Sequence, residues 1–415
     1  MKKVAIVDGF SSGKFIAKAL YDMNCQLIHI SSSADLDSYY YNGFDYDIYT
    51  KHIIHEDLER TIQFISEFGA EVIIAGAECG VLLSDKLNAE FKLKYSNDYT
   101  KTTARRNKFD MIELLRCNDL NSTRQGKFSQ WKNAEKWLKG ELYPVVLKPI
   151  DSAGSDGVFV CNRYTEARAA FNLISKKINK LNNVNDEVLF QEFLYGTEYV
   201  VNFVSLDCKV LVTEVVKYHK KKLDTGNIVY DIDEIVDVSY SEFNELVNYT
   251  KKVCQCLGIK NGPSHAEIML TKNGPRLVEI AARSDGILRP DVSLLTTGVG
   301  QSLATAISIV NPELFLSMTE KPCYKLINHS FNVGLINKSK GVFKALDFSR
   351  QLERLKSFHR VEFYVHENAV LEETRDVFSQ PGTVYLISDS KEQLWEDYRA
   401  IRKLESAHVY NKKGS

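Results

Sequence analysis

The chain has 415 residues with 53 Lys+Arg against 54 Asp+Glu, so at roughly 100–200 residues per domain it holds two to four packed units and carries no net positive field for gripping a nucleic-acid backbone. With 44% hydrophobic and 26% charged residues, 22 Gly and 8 Pro, it falls outside the collagen-like, disordered and membrane-spanning classes, and neither nucleic acid nor a membrane is an expected partner. The eight scattered cysteines (25, 79, 117, 161, 208, 254, 256, 323) lack zinc spacing and read as reduced, mostly buried thiols of a cytoplasmic protein.

Met1-Lys-Lys before Val4–Val7 mimics a signal start, but Asp8 interrupts an apolar run that would need roughly 7–15 residues, so a first strand is expected. Short apolar runs at Val4–Val7, Leu27–Ile30 and Val72–Ala75 alternate with amphipathic ones at Phe15–Met23, Leu58–Phe68 and Val81–Leu93. That β-α-β-α pattern predicts a parallel sheet covered by helices, with ligands beyond the carboxyl ends of its strands. Two loops follow strands directly, Asp8–Lys14 and Gly76–Gly80. The first is not a P-loop: Gly9 and Gly13 are one residue too close, and Phe15 stands where Ser or Thr must reach magnesium. No GxGxxG follows the first strand, so a nicotinamide cofactor is not indicated. Glu78, in the second loop, either meets a substrate ammonium or is an ordinary loop carboxylate.

Thr102–Leu120 reads as a helix, basic at its start. Strands are predicted at Val145–Lys148, Gly157–Val160, Val188–Phe193, Tyr199–Leu206 and Val210–Val216. A helix over Glu242–Leu257 precedes paired strands at 265–270 and 276–283. The segment 320–400 reads as strands with a Pro381-Gly382 turn, closed by a helix over Lys391–Leu404.

Three local patterns carry chemistry. Asp151-Ser-Ala-Gly-Ser-Asp-Gly157 follows Lys148-Pro149 between two strands; a Gly- and Ser-rich tip lets backbone N–H groups approach phosphate oxygens, although a plain hairpin loop has the same composition. His265–Leu270 and Arg276–Arg283 are joined by Lys272-Asn273-Gly274, and a three-residue loop with Gly at its left-handed position sets Glu267 opposite Glu279 and His265 opposite Ala281. Opposed carboxylates repel unless a cation lies between them, and magnesium, which takes one or two carboxylates plus substrate phosphates, meets that need. Gln191-Glu-Phe-Leu-Tyr-Gly-Thr-Glu198 is an apolar strand running into a polar turn, either an adenine-facing hinge or a simple crossover between domains.

Taken in order with Ala75–Val81, Ala104–Asp110 and Val146–Pro149, these patterns resemble the ATP-grasp superfamily, and within it the carboxylate–amine ligases of the L-amino acid ligase (dipeptide synthase) kind. The resemblance implies an α/β and α+β architecture. A Rossmann-like domain would span 1–105, a two-lobed ATP-grasp domain 106–312 (lobes 106–190 and 191–312), and a mixed α+β domain 313–415. It implies ATP and Mg2+, or Mn2+ in its place, small-molecule carboxylate and amine substrates, and compatibility with a homodimer. By the same likeness Lys108 and Lys148 contact the nucleotide phosphates, and Ser152, Gly154, Ser155 and Gly157 close over them. Gln191, Glu192 and Leu194 face adenine, Glu198 the ribose, and Lys217 is a further phosphate-side cation. Glu267 and Glu279 hold magnesium, and Arg283 stabilises the acyl phosphate and the tetrahedral species that follows. Many ATP-grasp enzymes carry Asn where this chain has Ala281; the departure favours the dipeptide-synthase-like subgroup and weakens the case for a second metal. His265, opposite that position, either replaces the missing amide or is a satisfied histidine of the sheet. Glu78 and Asp285 are the candidates to accept the amine proton. The Lys220-Lys-Lys222 run and Tyr230-Asp231 carry little weight as site residues.

Overall fold

The computed structural model describes residues 1–36, 41, 43–152, 156–179, 183–223, 228–320, 323–407 and 411–412. Strands β1 (Lys3–Val7), β2 (Gln26–Ser31), β3 (Lys51–Ile54) and β4 (Val72–Ala75) form a parallel sheet in the order β3-β2-β1-β4. Period-two alternation divides β1 between two cores. Val4 and Ile6 pack with Ile16 and Leu20 of α1 (Gly13–Asp22), while Ala5 and Val7 meet Ile65 and Phe68 of α2 (Leu58–Phe68) and Leu87 of α3 (Val81–Phe91). The expected β-α-β-α frame is present, with the edge strand β3 added to it. The glycines of its first loop serve close backbone crossing: a Cβ on Gly13 would lie 2.5 Å from the Gly76 Cα.

The single helix expected over 102–120 is two, α4 (Thr102–Arg106) and α5 (Lys108–Cys117). Asn107 breaks it with extended dihedrals and caps α5, its Oδ1 accepting from the Phe109 and Asp110 amides at 2.9 and 3.0 Å. An Asn cap of this kind satisfies orphaned N–H groups of the first turn, and it sets Lys108 at the helix start. Beyond it, β5 (Gln125–Phe128), β6 (Val145–Pro149), β7 (Phe159–Cys161) and β8 (Val188–Glu192) form an antiparallel sheet in the order β5-β8-β6-β7. Helices α6 (Trp131–Leu138) and α7 (Tyr164–Ile174) cover it through Leu138, Ala167 and Phe171.

The second sheet has eight strands. Following β9 (Gly196–Leu206), β10 (Lys209–Lys222), β11 (Ile228–Ile235), β12 (Gly262–Thr271), β13 (Gly274–Ala281) and β14 (His329–Gly334), the chain adds β15 (Gly341–Phe343), β16 (Phe358–Phe363), β17 (Val370–Leu371) and β18 (Gly382–Ser388). The order is β13-β12-β9-β10-β11-β14-β18-β16, with β15 and β17 set apart in a small sheet with β19 (Asn411–Lys412). Residues 193–195 therefore cross from one sheet to the other. The large sheet also runs unbroken past residue 312, because β11 pairs with β14.

Helix α8 (Phe243–Cys256) packs on the first half of this sheet. Helices α9 (Pro290–Thr297), α10 (Gln301–Val310) and α11 (Pro312–Thr319) link it to the N-terminal unit, α10 contributing Ala306 and Ile309 to the α1 core. Helices α12 (Ala345–Leu352) and α13 (Lys391–Ser406) pack against Ile232, Phe331, Val333, Val384 and Leu386. Alternation then turns Asp233, Asn332 and Tyr385 to the opposite face. All eight cysteines are free thiols, four of them buried. Among the described residues no single helix is long and apolar enough to cross a membrane.

Candidate active site

The paired carboxylates are where the sequence sets them, by a different route. The turn has two residues, Thr271 pairing with Gly274, and the register beside it is one short of the expected one. A β-bulge at Val278 restores it, so that Glu267 pairs with Glu279 and His265 with Ala281. Each carboxylate has its own cation: Lys108 Nζ donates to Glu279 Oε1 at 2.8 Å, and His265 Nε2 lies 3.4 Å from Glu267 Oε1. Burial works to raise the Glu267 carboxyl, but His265, Lys220 and Lys108 hold it below the usual range.

His265 faces two more polar groups, Asn202 Oδ1 at 3.0 Å and Asp285 Oδ2 at 3.2 Å from its Nδ1. Burial would lower its basicity; the Asp285 charge and the hydrogen bonds to Asp285 and Glu267 outweigh that and raise it to about 9. The ring therefore sits between two carboxylates, Glu267 and Asp285, that favour its charged form. Asp285 in turn accepts from the Ile287 amide at 2.7 Å and from Asn202 Nδ2 at 3.0 Å, and these groups with His265 hold its carboxyl far below the usual range despite burial.

Glu78 is buried in the short 3₁₀ turn after β4, salt-bridged by Arg106 and by Arg283 Nε at 2.8 Å. Burial opposes its charge, but Arg106, Arg283 and Lys108 hold the carboxyl below the ordinary value. Neither Glu78 nor Asp285 is thus tuned as a base near neutral pH. The N-terminal unit reaches the same place through Ser12, whose Oγ accepts from Ser284 Oγ at 3.0 Å.

On the phosphate side, Lys108 also donates to the Ser152 carbonyl at 2.5 Å, and Ser152 Oγ donates to Asp156 Oδ2 at 2.6 Å. Lys148 is buried at 6% exposure and makes no hydrogen bond or ion pair among the described residues. Burial, helped by the Lys108 charge, lowers its ammonium to about 8. Gly157 has φ +64°, and a Cβ there would come within 3.0 Å of the Pro149 ring. Gly154 and Ser155 lie outside the described residues.

The Gln191 amide donates to Gln125 Oε1 at 3.0 Å, and the Glu192 carboxylate accepts from Arg276 at 2.6 Å and the Arg124 amide at 2.9 Å. Both side chains are engaged, and the Glu192 amide donates to the Arg124 carbonyl at 3.0 Å. Glu198, at the start of β9, is paired with Lys220 at 2.5 Å; burial raises its carboxyl in spite of that pair.

Lys217 is not with these residues. It projects from the other face of β10, its Nζ 3.3 Å from Tyr240 Oη, next to His219, which binds Glu234. Lys220, two positions beyond Tyr218 on the same strand, is the β10 lysine that reaches the site, lying 4.9 Å from the Tyr230 ring centroid. The apolar portion of the strand ends at Val216, but β10 continues to Lys222 and its period of two separates Lys217 from Lys220. Asn202, Tyr218, Asp233 and Asn332 share the sheet face of Glu198, and Arg106 reaches Glu78 from the end of α4; for Asn202 and Tyr218 strand alternation is the available sequence signal.

Among the described residues no group of three His, Cys, Asp or Glu side chains is set to hold a metal. Two facing carboxylates with open positions instead fit a hard divalent cation that takes the rest of its shell from water and phosphate oxygens.

Residues 141–291 match the model of the ATP-grasp domain. The chain is 31% identical to dapdiamide A synthase of Enterobacter agglomerans over 97% of its own length and 96% of that protein's. Its fold is similar to the L-amino acid ligase of Bacillus licheniformis, with TM-score 0.77, 17% identity and 97% of each chain covered. It is also similar to the biotin carboxylase domain dimer of Hydrogenobacter thermophilus 2-oxoglutarate carboxylase in complex with MgADP, with TM-score 0.65, 14% identity, and 97% of this chain and 89% of that one covered.

Proposed function

The chain belongs to the ATP-grasp carboxylate–amine ligases, enzymes that form an amide at the expense of ATP, and from that premise we propose how its own residues divide the work. A carboxylate takes the terminal phosphoryl of ATP to give an acyl phosphate and ADP; an amine then displaces phosphate to give the amide, at least one partner being an amino acid. The observation that carries this reading is Glu267 facing Glu279, each anchored by a separate cation beside a buried lysine.

Lys108 and Lys148 bind the transferred phosphates, with Ser152 and Gly157 bordering them. The backbone of Glu192 through Leu194 meets adenine, and Glu198 the ribose once Lys220 yields it. Glu267 and Glu279 hold Mg2+ or Mn2+, which neutralises phosphate charge. Arg283, held by Glu78, is aimed at the oxygens that gain charge as the tetrahedral species forms, a role in which preorganised cations act most strongly away from water. His265 acts from a distance, keeping Glu267 anionic and aligned. The same reading takes 1–105, 106–312 and 313–415 as the three domains. It also allows the chain to associate as a homodimer.

Phosphate release with Mg-ATP, screened over all amino acids singly and in pairs, tests the reaction. Release that needs both partners, with a dipeptide seen by mass spectrometry, is the expected result. Release that is indifferent to the amine would overturn ligation and leave carboxylate phosphorylation followed by hydrolysis of the acyl phosphate.

A further inference from the structure

The row of side chains that includes Glu198 continues across the large sheet, beyond the residues used so far. Tyr218 on β10 is directly opposite Asp233 on β11, Asp233 opposite Asn332 on β14, and Asn332 opposite Tyr385 on β18. Directly opposed residues project to one face. That face is the one carrying Glu198, since the Tyr218 ring packs 4.7 Å from Tyr230 and Tyr230 lies beneath Lys220, the partner of Glu198.

Asp233 is 7% exposed and Asn332 3%. Asp233 Oδ1 and both side-chain polar atoms of Asn332 nevertheless have no hydrogen-bond partner. Buried polar groups are ordinarily satisfied, and an orphaned carboxylate beside an orphaned amide calls for a missing partner. The charges around Asp233 sharpen the need. Glu198 and Asp285 are its acidic neighbours, His265 the cation opposing them, and burial together with Asp285 raises its carboxyl well above the usual range.

We propose that Asp233 and Asn332, flanked by Tyr218, form a subsite for the ammonium group of an amino acid substrate; this rests on the ligase reading above. An ammonium offers donors and no acceptor, which suits the Asp233 carboxylate and Asn332 Oδ1, and a neighbouring tyrosine ring is favourable to a cation. Asn332 Nδ2 is left to donate to an oxygen of the same molecule, so a zwitterion fits better than a simple amine. The ammonium belongs either to the amino acid that is phosphorylated or to the one that attacks.

The full-length enzyme is assayed with Mg-ATP and the pair of amino acids identified by the phosphate-release screen, as wild type, Asp233→Asn and Asn332→Leu. Each variant is expected to raise KM for one of the two amino acids roughly tenfold or more, as for a lost charge-assisted hydrogen bond, and to leave KM for ATP unchanged. If the acyl donor is the one bound here, its desamino analogue is a poor substrate for wild type and is unaffected by Asp233→Asn; if the acceptor is, only the acceptor KM moves. Asp233→Asn should melt near wild type, because burial and Asp285 already disfavour the charged form of the carboxyl it replaces. Unchanged KM for both amino acids in both variants would overturn the subsite. Should wild type turn over no pair, the ligase reading fails, and the subsite is judged separately by melting with methylammonium against tetramethylammonium chloride. Stabilisation of wild type by methylammonium alone, lost in Asp233→Asn, supports it; equal responses of wild type and variant overturn it.

Discussion

Glu267 and Glu279 face each other across β12 and β13, yet each carboxylate is bound to a cation from outside the pair, His265 for one and Lys108 for the other. The repulsion that the sequence implies is thus already relieved in the folded chain, and the two cations also fix where the carboxylates point.

Glu267→Gln and Glu279→Gln should each lower turnover by about a hundredfold or more, the scale of a lost charge contact in a transition state. Melting should stay near wild type, because His265 keeps Asp285 and Lys108 keeps the Ser152 carbonyl. Differential scanning calorimetry alongside the phosphate assay separates the two effects; a large fall in melting temperature would make the pair structural.

Burial, helped by the Lys108 charge, lowers the Lys148 ammonium to about 8. Phosphate binding favours the charged form, so nucleotide should bind with proton uptake, and affinity for ATP should fall as pH rises through that value. Calorimetric titrations in two buffers of different ionisation enthalpy, near pH 8, report the proton. Lys148→Met should bind weakly with no such uptake.

His265 is raised from 6.5 to about 9. The stability this contributes is fully present below pH 6.5 and is lost as pH rises through about 9, so His265→Gln should cost about 3 kcal/mol on the acid side and little above pH 9. Denaturant midpoints across that range check the sign. In catalysis His265→Ala should reduce kcat while nearly sparing KM for ATP, and His265→Asn should recover part of the rate.

Glu78→Gln releases both Arg106 and Arg283 from their shared carboxylate. The expected result is a kcat about 10- to 100-fold lower, with the apparent pKa values of the pH–rate profile unmoved, since a carboxyl already held anionic is not the titrating base. A shifted acidic limb would return Glu78 to the role of proton acceptor.

Much of the site was legible locally. Val145–Lys148, the 265–283 hairpin and the hinge are short-range patterns, and their alternation is fixed by the pleat of the strand. The hairpin also shows how a right pairing can rest on an incomplete account. The turn is one residue shorter than the glycine suggested, and the bulge at Val278, which no local pattern announces, compensates for it. Lys217 is named by the family resemblance alone, and in the structure alternation along β10 (Lys209–Lys222) turns it to the face opposite Glu198. Asn332 could not have been found beside Asp233, since their adjacency depends on a β11–β14 pairing between segments far apart in the chain.

That pairing spans only three residue pairs, Ile232 with Val333, Asp233 with Asn332 and Glu234 with Phe331. A slip of one residue would exchange the faces of β14, sending Phe331 and Val333 toward polar side chains and Asn332 into the apolar layer under α13. The junction acts as a keyed joint: it admits one alignment of the chain from β14 onward against the strands that carry the candidate site. A chimera that grafts this segment from a relative would therefore inherit a working pocket only if its equivalent of β14 keeps that parity.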